Sequence, residues 1–108
     1  VRRNAPNKYY AKKTYSQLCD RTFDSKAEAR RGEELSLLER AGEISKIEYQ
    51  VPFTLCQKPK IAIKIDFAYC VNGAMVYEDA KGLMTREFRV KMAWLKEKYG
   101  IDVLLTKP

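Results

Sequence analysis

The stretch IAIKIDFAYCVNGAMVYEDAK, residues 61–81, decides the fold. Ile61, Ile63, Ile65, Phe67, Tyr69 and Val71 alternate with Ala62, Lys64, Asp66, Ala68 and Cys70, the period-two pattern of a strand with one apolar face. Asn72-Gly73 then supplies the two residues that tolerate the positive φ angles of a tight hairpin turn. Ala74 to Lys81 reads as the returning strand, ended by Gly82. The result is an antiparallel hairpin with Asp66 on the face of Ala62 and Ala68, and Asp79 thirteen residues further on. Because strand side chains alternate, Asp79 and Lys81 leave one face and Glu78 the other.

Working outward, Ile47, Tyr49, Val51, Phe53 and Leu55 alternate in a preceding strand, and Pro52 places that strand near a sheet edge. Before it, Lys26 to Arg40 is rich in helix formers, with Leu35 and Leu38 on one stripe and Ala41-Gly42 as a stop. After the hairpin, Thr85 caps a second helix reaching Tyr99 along the stripe Phe88, Met92, Leu95 and Tyr99, with Gly100 as terminator. Ile101 to Leu105 is short and β-branched, a fourth strand. The expected fold is therefore α/β, a single domain in the order α-β-β-β-α-β, with a mixed central sheet flanked by helices. Residues 1–21 read as a basic, tyrosine-containing arm and 22–108 as the domain.

At 108 residues the chain builds one modest core. No apolar run approaches the roughly 18 residues that cross a bilayer, so no membrane association is expected. No basic start leads into an apolar stretch with a small-residue cleavage site, which points to the cytoplasm. Cys19, Cys56 and Cys70 are an odd number at wide spacings, fitting neither a disulfide framework nor paired zinc ligands. They read as reduced thiols. The chain has no histidine, which removes the usual general base and any Ser-His or Cys-His nucleophile pair. Carboxylate, lysine and tyrosine chemistry remains, with a hard cation such as Mg²⁺.

The net charge of +7 favours polyanions. In the arm, Arg2, Arg3, Lys8, Lys12, Lys13 and Arg21 stand against Asp20 alone, with Tyr9, Tyr10 and Tyr15 interleaved. Such a segment can track phosphates and stack on bases; the simpler alternative is a solvated terminus. On the second helix Arg86, Arg89, Lys91, Lys96 and Lys98 outnumber Glu87 and Glu97, forming either a grip for a DNA backbone or an ordinary solvated face.

Asp66 and Asp79 on neighbouring strands can supply oxygen ligands to a divalent cation, with the carbonyl of Ala80 and waters. Lys81 would then orient or help deprotonate an attacking water. A surface ion-pair ladder is the alternative for Asp79 and Lys81, but the alanines beside Asp66 indicate a covered face, where a carboxylate needs a partner or a metal. Ser25-Lys26-Ala27-Glu28 is a capping box, in which Glu28 reaches back to the helix start. Glu28 also shares a helical stripe with Gly32 and Leu35, which turns it inward, beside a residue with no side chain, toward a cation or a water-filled site. Gln50, on the polar face of the first long strand, is placed to hydrogen-bond a water on the metal or a phosphate. Glu78 is expected to be structural or paired with a basic residue.

A helix-borne Glu, a strand Asp, a (D/E)-x-K at the end of the next strand and a following helix together resemble the PD-(D/E)XK nuclease superfamily. More closely, Phe23-Asp24-Ser25-Lys26-Ala27-Glu28-Ala29, Ala41-Gly42-Glu43-Ile44, Gln50-Val51-Pro52-Phe53, Asp66-Phe67 and Glu78-Asp79-Ala80-Lys81-Gly82 look like a family of small phage-encoded proteins of unassigned function placed in that superfamily. Ile65 stands where the superfamily's name has proline. The resemblance implies a restriction-endonuclease-like fold, with Asp66, Asp79 and Lys81 as the catalytic set, Glu28 as the helix-borne acid and Gln50 as auxiliary. It also implies Mg²⁺-dependent cleavage of DNA leaving a 5′-phosphate, with phage junction resolvases and mismatch-repair nicking enzymes as cousins.

The expectation is thus an endodeoxyribonuclease using Mg²⁺, or Mn²⁺ in its place, in phage DNA recombination, repair or packaging inside a bacterial host. Branched or junction DNA is among its expected substrates, and a homodimer is expected because so small a domain covers little DNA. The rivals are a catalytically inactive DNA-binding or adaptor module on the same fold and an RNA-directed nuclease; an RNase H-like nuclease fits the adjacent lysine and the strand order poorly.

Overall fold

Local signals and observed elements coincide over most of the chain. A computed structural model describes residues 12–80 and 84–106. In chain order these contain β1 (Thr14–Ser16), β2 (Arg21–Phe23), α1 (Lys26–Arg40), β3 (Ser45–Cys56), β4 (Ile61–Val71), β5 (Ala74–Ala80), α2 (Arg86–Tyr99) and β6 (Val103–Thr106). Ser25 caps α1, its hydroxyl accepting from the Glu28 N–H at 3.0 Å. Thr85 caps α2 in the same way, and Gly100 closes it in the left-handed conformation, φ 72. Asn72 and Gly73 have φ 50 and 83, the two positive values a tight hairpin between β4 and β5 demands.

The main sheet runs β3-β4-β5-β6. Its first two pairings are antiparallel, whereas β6 returns across α2 to lie parallel to β5, with Tyr77 opposite Val103 and Asp79 opposite Leu105. The sheet is therefore mixed, and the fold is a single α/β domain as expected. β3 lies at an edge, where exposed Pro52 is tolerated.

The last residues of the expected arm belong to the domain. Thr14–Ser16 pairs antiparallel with Arg21–Phe23, and buried Ser16 donates from Oγ to Glu33 of α1 at 2.6 Å. Strands of three residues are too short to show a period, which is why the sequence does not reveal them. Residues 1–11, which include Arg2, Arg3 and Lys8, lie outside the described residues, as does Lys81.

Two apolar clusters share the sheet. Phe67 and Tyr69 pack with Phe23, Ala29, Leu35 and Ile44 beneath α1, whereas Ile63, Ile65 and Leu55 pack with Leu95 of α2. The change of partner along β4 falls at Asp66. Leu38 and Tyr99 were expected inside, but both are exposed. Tyr99 instead lays its ring 5.4 Å from that of Phe53 and donates its hydroxyl to the Thr54 carbonyl at 2.8 Å.

The space beside Gly32 is filled, which corrects the expectation of a gap next to Glu28. A Cβ on Gly32 would stand 2.6 Å from Cζ of Phe23, a buried ring flanked by Tyr49 and Phe67 at centroid distances of 5.8 and 6.2 Å. Gly32→Ala would gain up to about 1 kcal/mol of helix propensity, but overpacking costs roughly 1–3 kcal/mol and this ring has nowhere to move. A net loss of stability is expected, read as a lower urea midpoint at unchanged slope; a raised midpoint would contradict it.

Candidate functional site

At Asp66 the β4–β5 ladder ends, and the β3–β4 ladder keeps its register but skips the rung at Gln50. The β4–β5 pairing ends at Phe67 opposite Glu78. Beyond it carboxylates take over the rungs: the Asp66 N–H donates to Asp79 Oδ1 at 2.9 Å, and the Ala80 N–H donates to Asp66 Oδ2 at 3.0 Å. On the other side, pairing passes from Tyr49–Phe67 to Val51–Ile65, and the intervening Gln50 is held at φ 53. A non-glycine residue in the left-handed region inside a strand is strained, and such strain persists where the surroundings over-determine it, often at functional sites.

The Gln50 amide joins the remaining acid to the pair. Its Nε2 donates to Glu28 Oε2 at 2.8 Å and lies 3.5 Å from Asp66 Oδ1. Glu28 thus leaves α1 inward while its own backbone N–H is the one that Ser25 caps. Glu28 and Asp79 are 4% and 1% exposed, so Asp79 is not part of a surface ion-pair ladder. The structure therefore brings together Glu28, Gln50, Asp66 and Asp79 from α1, β3, β4 and β5, with Ala80 bound to Asp66 through its N–H. Lys81, two positions beyond Asp79, lies outside the described residues.

The donors are hard oxygens, the set that suits Mg²⁺. Among the described residues no three acidic or cysteine side chains stand close enough to hold one ion. Gln50 Nε2 reaches both Glu28 and Asp66, while Asp66 and Asp79 are tied to each other's strand through the backbone N–H groups of Asp66 and Ala80.

Glu78 turns to the opposite face and is structural, as its place in the alternation implies. It is fully buried and binds Arg31 through two bonds, Nε to Oε2 at 2.6 Å and Nη2 to Oε1 at 3.0 Å. Tyr69 and Thr106 also donate to it, at 2.5 and 3.0 Å. Burial pushes the Glu78 carboxyl up, but the Arg31 guanidinium and the two hydroxyls outweigh it and hold the group below the usual carboxylate range. Burial and the bond to Glu78 push the Tyr69 phenol up to about 12. Glu78 thus ties α1, β4 and β6 to β5 and sets the direction in which its neighbour Asp79 points. Arg31 escaped the sequence reading because its partner is 47 residues away.

Of the expected nucleic-acid contacts, Lys12, Lys13, Arg86 and Arg89 are exposed. Lys13 pairs with Asp24 at 3.0 Å and Lys91 with Glu87 at 3.2 Å. Arg86 and Lys91 line a cleft of about 650 Å³ with Lys60, Ile61, Ala62, Val90 and Trp94. Lys60 and Trp94, which share that cleft, are not among the residues expected from the sequence. The signal that could have found them is the lone tryptophan on a basic helix.

These features define a single α/β domain with a carboxylate-rich site on a mixed sheet. The chain belongs to the family described as Protein of unknown function (DUF1064), which matches residues 6–106. No curated protein and no solved structure matches it. Cys19, Cys56 and Cys70 are free, and among the described residues no helix is long and apolar enough to cross a membrane.

Proposed function

We propose that this protein is a metal-dependent endodeoxyribonuclease of the PD-(D/E)XK type, acting on DNA in the bacterial cytoplasm during phage recombination, repair or packaging. The observation that carries the reading is the convergence of Glu28, Gln50, Asp66 and Asp79, from four separate elements, where the β4–β5 ladder ends and Gln50 takes a positive φ. A binding module gains nothing from acids gathered where phosphates must approach, whereas a hydrolase using a cation needs them.

Asp66 and Asp79 would hold Mg²⁺ or Mn²⁺, with the carbonyl of Ala80 beside them. When bound, such an ion polarises the phosphate and stabilises the leaving oxygen. The chain's own residues do the rest. The reciprocal bonds between Asp66, Asp79 and the backbone fix both carboxylates before substrate arrives, so no ordering is needed at the moment of reaction. Gln50 orients Glu28 against Asp66, and Lys81 would orient the attacking water or help deprotonate it. A homodimer is also proposed, supported by the edge strand β6, where Leu104 and Leu105 are 49% and 41% exposed on opposite faces. A monomeric elution volume with full activity would count against the dimer.

Linear, nicked and branched DNA, incubated with Mg²⁺ and with EDTA, tests the reading. Cleavage is expected with Mg²⁺ only, and Lys81→Ala is expected to lower it by about a hundredfold or more while metal binding persists. Cleavage that survives Lys81→Ala would remove the lysine's role. Binding of DNA without any cleavage would favour an adaptor, and cleavage of RNA alone an RNA-directed nuclease.

A further inference from the structure

The cleft between the start of β4 and α2 combines features that the carboxylate site does not use. Its cations are Lys60, Arg86 and Lys91, against Glu87 as the acid lining it. Lys91 is already paired with Glu87 at 3.2 Å, which leaves Lys60 and Arg86, both exposed, as the surplus positive charge. The same cleft is lined by Trp94, which packs partly against the core beneath α2, and by Val90, which is 55% exposed although apolar. A cleft lined by surplus cations together with a partly exposed tryptophan suits a ligand that carries both negative charge and flat apolar faces. An unpaired nucleic-acid strand has that chemistry, because every base offers a π-face and every linkage a negative charge. A paired duplex hides its base faces in the stack and offers Trp94 nothing.

The position of the cleft matters as much as its lining. Ala62 lines it and Asp66 belongs to the acid cluster, four residues apart on one strand, or about 13 Å at roughly 3.3 Å per residue. That spans about two nucleotides of an extended strand, whose phosphates would lie on Lys60 and Arg86 before the chain reaches the carboxylates.

We propose that this cleft is a single-strand binding groove, taking about two unpaired deoxynucleotides with a base on Trp94, and that it selects DNA carrying a single-stranded segment beside the cleavage point. The groove stands on its own lining; the selection of cleaved DNA rests on the nuclease reading.

Trp94 is the only tryptophan of the chain, so its fluorescence reports on the groove directly. The full chain in EDTA, where no cleavage is expected, is titrated with oligo(dT), with the corresponding duplex and with oligo(rU). Quenching is expected with oligo(dT) at concentrations where the duplex gives none. Lys60→Gln and Arg86→Gln, both at exposed positions, should each weaken that binding by about fivefold or more and flatten its dependence on salt. Fluorescence unchanged by oligo(dT), or quenched equally by the duplex, would overturn the groove. Preferential quenching by oligo(rU) would assign it to RNA and overturn the deoxynucleotide part. The nuclease reading fails separately: quenching in EDTA without cleavage in Mg²⁺ keeps the groove and removes the enzyme, whereas cleavage of intact duplex without quenching does the reverse.

Discussion

Asp79→Asn is expected to lower Mg²⁺-dependent cleavage by at least about a hundredfold without lowering the thermal unfolding midpoint by more than a few degrees. The asparagine keeps an oxygen where Asp79 Oδ1 accepts from the Asp66 N–H, so the rung between β4 and β5 survives. What is lost is one negative charge of the pair proposed to hold the cation. Isothermal titration with Mn²⁺ should show weakened binding in the same variant, which separates a ligand from a residue that only shapes the backbone. A variant that folds and cuts at the wild-type rate would remove Asp79 from the site, and with it the proposed mechanism.

The adjacent residue should behave in the opposite way. Glu78→Ala is expected to cost about 3–5 kcal/mol, the range for breaking a buried ion pair, and to lower the midpoint by roughly 15 °C or more in a domain of this size. It leaves the Arg31 guanidinium, which is 27% exposed, with Glu34 as its remaining carboxylate partner, so the cost falls toward the lower end of that range, and it leaves the Tyr69 and Thr106 hydroxyls without their acceptor. Glu78→Gln keeps the shape and loses the charge, so it reports on pH. The wild-type carboxyl is held below its ordinary value of 4.5 in the folded state, so the folded chain binds fewer protons there than the unfolded one. The stability this contributes is fully present above about 4.5 and is lost as pH falls through the lower folded value. Midpoints measured from pH 7 downward should therefore fall less steeply below about 4.5 in Glu78→Gln than in the wild type. Parallel curves would show that the Glu78 charge contributes nothing.

The contrast between two neighbours follows from strand alternation, and that much is legible in the chain. A period of two by itself separates Asp79 from Glu78, and the same period, with Asn72-Gly73, defines β4 and β5. Local signals of this kind specify α1 and α2 as well, through their caps, stops and apolar spacing. Glu28, Gln50, Asp66 and Asp79 could be picked out as candidates from helical and strand phase, but α1 packs on the Phe67 and Tyr69 side of β4, and Glu28 is linked to Asp66 through Gln50, a connection that no local pattern marks.

Other features were decided by distances the chain spans only when folded. Arg31 and Glu78 meet because α1 crosses β5, and no local pattern marks a pair whose members are 47 residues apart. The same holds for the ring of Phe23 on Gly32, where a glycine read as a gap is in fact a seat for a side chain from another element. Hairpin strands of three residues, the φ of 53 at Gln50 and the cleft around Trp94 likewise depend on neighbours from elsewhere in the chain. Periodicity and capping are short-range preferences of the backbone, so they are written in consecutive residues. Partners, strain and cavities arise only when packing brings remote segments together, and that step belongs to the tertiary structure.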